Sequence, residues 1–150
     1  MASDKIINKL NECLRHEWTG VAQYAQAGFL VSGLWREVYS SMFFDSAKES
    51  FDHAKQVGDK ITALGGLPTI ERNAVKQSHD LNEMLQHAFE FETAAVKHYN
   101  EALKAADGDR ALEVMLENIL EEEQAGVDHL TQILRQHKSA AAGAGATKAG

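Results

Sequence analysis

The chain has 150 residues, 44% of them hydrophobic and 25% charged, with a mean hydropathy of -0.35 and a formal net charge of -7. That length buries one real core and fits one domain. The acidic balance excludes a nucleic-acid or anionic-membrane surface, either of which needs a basic face, and no apolar run reaches the roughly 18 residues of a membrane span.

The first helix is expected to start at Ser3 or Asp4, either a good N-cap. Ile7, Leu10, Leu14, Glu17, Val21, Tyr24, Gly28 and Val31 then follow the 3-4-3-4 spacing of a bundle stripe. Ser32-Gly33 breaks it. A second helix is predicted from about Trp35 to Leu64, with Phe43, Ser46, Ser50, His53, Val57, Ile61 and Leu64 on one side. Gly65-Gly66 and Pro68 end it.

Asp80 with Glu83 makes a capping-box start for a third helix carrying Leu81, Leu85, Ala88, Glu92, Ala95, Tyr99 and Ala102. After the turn at Ala106-Asp107-Gly108, Asp109 caps a fourth helix with two competing stripes. One is Leu112, Met115, Ile119, Glu122, Gly126, His129 and Ile133; the other is Leu116, Leu120, Glu123, Val127, Leu130 and Leu134. Periodicity leaves both open. Residues 1–137 form the expected bundle, and the Ala/Gly-rich stretch 138–150 is expected to be a flexible tail.

Connection lengths set the topology. The first and third are short, so each joins an antiparallel pair. The middle one, from Gly65 to His79, spans up to roughly 45 Å at about 3.3 Å per residue, the length of a helix of about thirty residues. It permits a crossover that leaves helices two and three parallel. The expected fold is all-α, a four-helix bundle with a long crossover.

Glu17 to Tyr24 reads E-W-T-G-V-A-Q-Y, and Glu92 to Tyr99 reads E-T-A-A-V-K-H-Y. In both, Glu, Val and Tyr fall at i, i+4 and i+7, on one helix face. At mid-height the four inner faces carry Glu17, then Ser50 and His53, then Glu92, then Glu122 or Glu123. A charged, unpaired carboxylate there costs several kcal/mol. Three outcomes satisfy it: a raised pKa, hydrogen bonds from His53 and the tyrosines, or a divalent metal. Agreement of four helices at one level favours metal, and carboxylates with a histidine suit iron or manganese.

Residues 5 to 137 resemble the ferritin-like superfamily, most of all bacterioferritin. The resemblance rests on Leu10-Asn11-Glu12, Glu17 and Gln23-Tyr24 in the first helix. It continues in His53-Ala54, Ile61, Leu64 and Gly66-Leu67-Pro68, then in Glu92, Glu101-Ala102, Ile119-Leu120 and Asp128. It implies a di-iron ferroxidase centre that oxidises Fe(II) with dioxygen or peroxide, and storage inside a shell of subunits. In that family a terminal Glu comes from helices one and three, and a Glu-x-x-His pair from helices two and four.

Glu17 and Glu92 match the terminal carboxylates. His53 is present, but the Glu three residues before it is Ser50, with Glu49 adjacent. Glu123 matches the bridging carboxylate of helix four, yet the expected histidine is Gly126, and His129 stands one turn on. The implied metal ligands are Glu17, His53, Glu92 and Glu123, with Glu49 as a further candidate, and Tyr24 is the implied catalytic residue. Tyr99 mirrors it; for both tyrosines, packing with a hydroxyl that satisfies a carboxylate is the competing reading. The haem-ligating methionine of bacterioferritin is Phe51 here, so haem is not expected.

A mononuclear or asymmetric iron site is therefore expected. The alternatives are a catalytically inactive structural subunit and an oxidase acting on peroxide or an organic substrate, the last disfavoured by the same two losses. A homo-oligomer, dimer or cage, or co-assembly with a related subunit is the expected partnership. The Ala/Gly tail does not resemble the short fifth helix of bacterioferritin.

His16, His79, His87, His98 and His137 are expected at the surface, and Glu121-Glu122-Glu123 as a solvated face. The single cysteine, Cys13, is expected to be buried. With no partner for a disulfide and no leader at the start of the chain, a cytoplasmic location is expected.

Overall fold

A computed structural model describes residues 3–147 and the side chains of residues 3–135. Four helices form: α1 (Asp4–Leu30), α2 (Arg36–Ala63), α3 (Leu81–Ala105) and α4 (Arg110–Thr147), with no strand among the described residues. None of the described helices is long and apolar enough to cross a membrane. The expectation of a flexible tail over 138–150 falls on residues whose side chains lie outside those described.

Local chemistry sets the helix ends. Asp80 Oδ2 accepts from Glu83 N at 3.0 Å and Asp109 Oδ1 from Leu112 N at 3.1 Å, so both caps use the side chain. Ser3 holds the extended N-cap backbone of α1 without a side-chain bond. Gly65 and Gly108 follow α2 and α3 with φ of 85° and 94°, the left-handed turn that a Cβ disfavours.

The crossover is laced to α1. Asn11 donates to Leu67 O at 3.1 Å and accepts from Thr69 N at 2.8 Å. Trp18 Nε1 donates to Thr69 O at 2.9 Å, Thr19 Oγ1 accepts from Asn73 N at 2.8 Å, and Gln23 Oε1 accepts from Lys76 N at 3.1 Å. Each step up α1 meets a later residue of the connection. The chain thus climbs the bundle from the foot of α2 to the head of α3, and α2 and α3 run parallel. These bonds satisfy backbone groups that a segment without secondary structure would otherwise leave to water.

Two apolar clusters fill the interior. Leu10, Leu14, Val57, Ile61, Tyr99, Leu112, Leu116 and Ile119 pack at one end. Tyr24, Phe43, Met84, Leu85, Phe91 and Leu130 pack at the other. Buried Glu17, Ser50, His53, Glu92 and Glu123 are polar groups within this apolar interior.

The inner face of α4 follows neither expected stripe. It takes members of both, as Leu112, Leu116, Ile119, Glu123 and Leu130; all share the 3.5-residue period, so packing against the other helices, not spacing, sets which face turns inward. On α1, Ile6 replaces Ile7 in the core and Val21 is half-buried.

Candidate metal centre

The two Glu-Tyr motifs sit on α1 and α3, which pack antiparallel, and their phenols exchange partners. Tyr99 Oη donates to Glu17 Oε1 at 3.0 Å and Tyr24 Oη donates to Glu92 Oε1 at 2.6 Å. Burial first, and the facing carboxylate second, hold both phenols protonated by raising them well above the usual range. Each carboxylate has one oxygen held. The other, Glu17 Oε2 and Glu92 Oε2, is buried without a hydrogen-bond partner.

Across the bundle His53 joins α2 to α4. Its Nδ1 donates to Glu123 Oε1 at 2.8 Å and lies 3.6 Å from Glu17 Oε1; its Nε2 meets Glu122 Oε2 at 2.6 Å. Glu17, His53 and Glu123 are 0%, 1% and 2% exposed and offer three donor atoms within 4.8 Å of one another. The structure thus brings together three of the sequence-predicted ligands in one buried set. Glu92 faces the same space, near Glu123.

Electrostatics match a site short of positive charge. Burial, then the neighbouring Glu123 carboxyl, push Glu92 up to about 10. Burial likewise lifts Glu123 to about 7, although hydrogen bonds to Glu92 and His53 pull the other way. Burial opposes a charge on His53, but Glu123 and Glu17 outweigh it and hold the imidazolium up to about 11. The donor set therefore keeps protons where a cation would otherwise sit, and its two unpartnered carboxylate oxygens fit a divalent ion.

The two lost ligands leave different spaces. At Gly126 a Cβ would stand 3.1 Å from Glu92 Cδ, so the Glu92 carboxyl occupies that side. Near Ser50, Phe91 closes in: a Cβ on Gly20 would meet Phe91 Cζ at 2.4 Å and Ser50 Oγ at 2.5 Å. With no side chain at 20, the Phe91 ring and the Ser50 hydroxyl both close on α1 there.

Glu49 does not join the buried set: it is exposed, and groups instead with His53 and Glu122 on the outer side. Its carboxyl is nonetheless raised by partial desolvation, with His53 opposing. Ser50 takes the inward position of that turn, so the neighbouring residue points away. His129 is exposed and does not replace the missing histidine.

His16, expected at the surface, is 6% exposed, stacks on Phe91 at 4.0 Å between ring centroids and bonds Phe91 O through Nε2. Burial lowers it to about 4, so it is a neutral core ring. His87 and His98 are half-buried and His79 is exposed, while the side chain of His137 lies outside those described. Glu122, read as part of a solvated face, is exposed but bonded to His53. Spacing leaves Glu122 or Glu123 open for the inner face; Glu123 takes it, and the His53 ring reaching from α2 brings the exposed Glu122 to the site as well.

Known proteins place this geometry. A family model described as a ferritin-like domain matches residues 7–140. A crystal structure described as ferritin like, diiron-carboxylate proteins from Bacillus anthracis str. Ames is 31% identical. It covers 89% of this chain and 99% of its own, with a TM-score of 0.85. No curated protein matches. Fold, buried carboxylates and family model agree: the chain belongs to the ferritin-like domain family.

Proposed function

We propose that this protein binds Fe(II) at one asymmetric site and oxidises it there, with dioxygen or peroxide as electron acceptor, for iron storage or detoxification. On this reading it is a bacterioferritin-like protein with an incomplete ferroxidase-type centre. The observation that carries the reading is the pair of buried, unpartnered oxygens on Glu17 and Glu92 beside the Glu17, His53 and Glu123 donor set. The matched structure is described as a diiron-carboxylate protein, which supports iron as the ion.

Glu17, His53 and Glu123 hold the substrate ion, and Glu92 supplies further negative charge. Anionic oxygen donors favour Fe(III) over Fe(II), so the site drives loss of one electron to the acceptor. Tyr24 and Tyr99 keep the two terminal carboxylates aimed. Anaerobic Fe(II) titration followed by air tests this. Saturable binding and an absorbance rise, both lost in Glu17→Ala, are expected; no bound iron in the unaltered protein would refute it.

A second reading, an inactive structural subunit, draws on Ser50 and Gly126, which remove one member of each Glu-x-x-His pair. On either reading the chain assembles with a second copy or a related subunit. The outer face of α2 supports this. Phe44, Phe51 and Gly58 recur at seven-residue intervals; both rings are exposed, and a Cβ on Gly58 would meet nothing within 4 Å among the described residues. A mid-helix glycine costs about 1 kcal/mol against alanine. Antiparallel pairing about Phe51 sets Phe44 of one copy over Gly58 of the other, a self-complementary contact.

A further inference from the structure

A second cluster of metal-ligating groups lies away from the central site, on the seam where α1 packs against α3. His98 and Glu101 stand three residues apart on α3, which puts them on one helix face. Glu12 reaches them from α1. The three half-buried side chains offer donor atoms within 4.8 Å of one another.

The histidine is the telling member. Its ring nitrogen Nδ1 is buried and has no hydrogen-bond partner. Its backbone carbonyl accepts from Cys13 Sγ at 3.6 Å, and its ring lies tilted against His16 at 4.9 Å between centroids. His98 is thus fixed in place from two sides while part of its bonding capacity goes unused.

Lys9 already marks the position as one that attracts a cation. Its Nζ lies 3.2 Å from Glu12 Oε2 and 3.6 Å from Glu101 Oε2, between the two carboxylates. Lys9 is a long, flexible side chain beside open solvent, and leaving the cluster costs it little. No hydrogen bond joins it to the His98 ring, whose Nδ1 stays without a partner while Lys9 serves the two carboxylates. A divalent ion satisfies all three groups at once.

We infer that Glu12, His98 and Glu101 form a surface binding site for a divalent first-row transition-metal ion, separate from the buried centre. Two carboxylates and one imidazole leave a position open to water or further ligands, a donor set that zinc and iron(II) both accept. The bound ion bridges α1 of the first hairpin to α3 of the second, and so clips the two halves of the bundle together. Binding to the folded chain alone raises the melting temperature with metal concentration.

Zinc(II) is the probe. Crystals soaked in zinc and measured at its absorption edge should show an anomalous peak among Glu12, His98 and Glu101, whatever is seen at the buried centre. Equilibrium dialysis should find one zinc fewer per chain in His98→Ala and in Glu101→Gln, with the helical spectrum kept. Lys9→Met, which removes the competing charge, should tighten zinc binding at this site about threefold. Absence of the peak, or equal zinc stoichiometry in the unaltered chain and in Glu101→Gln, overturns the inference. Because the two sites are separate positions in one map, failure of either leaves the other readable.

Discussion

Tyr24 on α1 donates to Glu92 on α3 at 2.6 Å, and the same exchange runs back from Tyr99 to Glu17 at 3.0 Å. Each phenol holds one oxygen of a buried carboxylate and leaves its twin without a partner. The tyrosines thus fix each carboxylate so that one of its oxygens stays free in the interior.

Tyr24→Phe removes that support and takes from Glu92 Oε1 the bond the phenol gives it. Metal-free protein should lose about 1–3 kcal/mol of stability in urea unfolding, the cost of a buried polar group deprived of its bond. The loss should shrink when metal is bound, because the ion then holds the carboxylate.

Glu123→Gln should separate stability from binding. It keeps the volume and an acceptor for His53 while removing a carboxyl that burial already penalises. Metal-free protein at pH 8 should melt no lower than the unaltered chain, and iron(II) affinity should fall by more than about tenfold. Calorimetry and anaerobic titration on the same sample check both halves.

The pH dependence follows from three groups that are all raised on folding. Glu123 at about 7, Glu92 at about 10 and His53 at about 11 bind protons more tightly in the folded chain than in the unfolded one. Their contribution is present below the unfolded values and is lost as pH rises through the folded ones. Metal-free protein should therefore melt lower at pH 8 than at pH 5.5. Metal competes with the same protons, so the stabilisation it gives should be larger at pH 8.

Much of this arrangement is legible in the spacing of Glu17, Tyr24, Glu92 and Tyr99, because helix periodicity alone puts carboxylate and phenol on one face. Caps at Asp80 and Asp109 and the long crossover are legible for the same reason, as local chemistry and chain length. What the spacing does not carry is contact between distant elements. His16 is buried because Phe91, 75 residues on, stacks over it. Glu122 joins the site only because His53 reaches it from α2, and the seam of α4 is decided by its neighbours where two stripes are equally apolar.

Pairing through α2 predicts that Phe51→Asp yields a monomer by sedimentation velocity with an unchanged helical spectrum. A stable pair buries on the order of 1,600 Å², and a buried unpaired carboxylate at its centre is costly. Unchanged sedimentation of the variant would remove α2 from the interface.

Restoring the missing ligands is a stricter trial of the asymmetry. Ser50→Glu with Gly126→His should raise bound iron at the centre from one ion to two. The Glu92 carboxyl must yield a few tenths of an ångström, since a Cβ at 126 would stand 3.1 Å from Glu92 Cδ. Iron counted per chain after anaerobic loading and desalting checks it.

The central claim is one ion in the buried set, and diffraction at the iron edge from crystals soaked anaerobically in Fe(II) tests it most directly. The expected result is a single buried peak within bonding distance of Glu17, His53 and Glu123. No peak there, or two of equal height between Glu17 and Glu92, would contradict it.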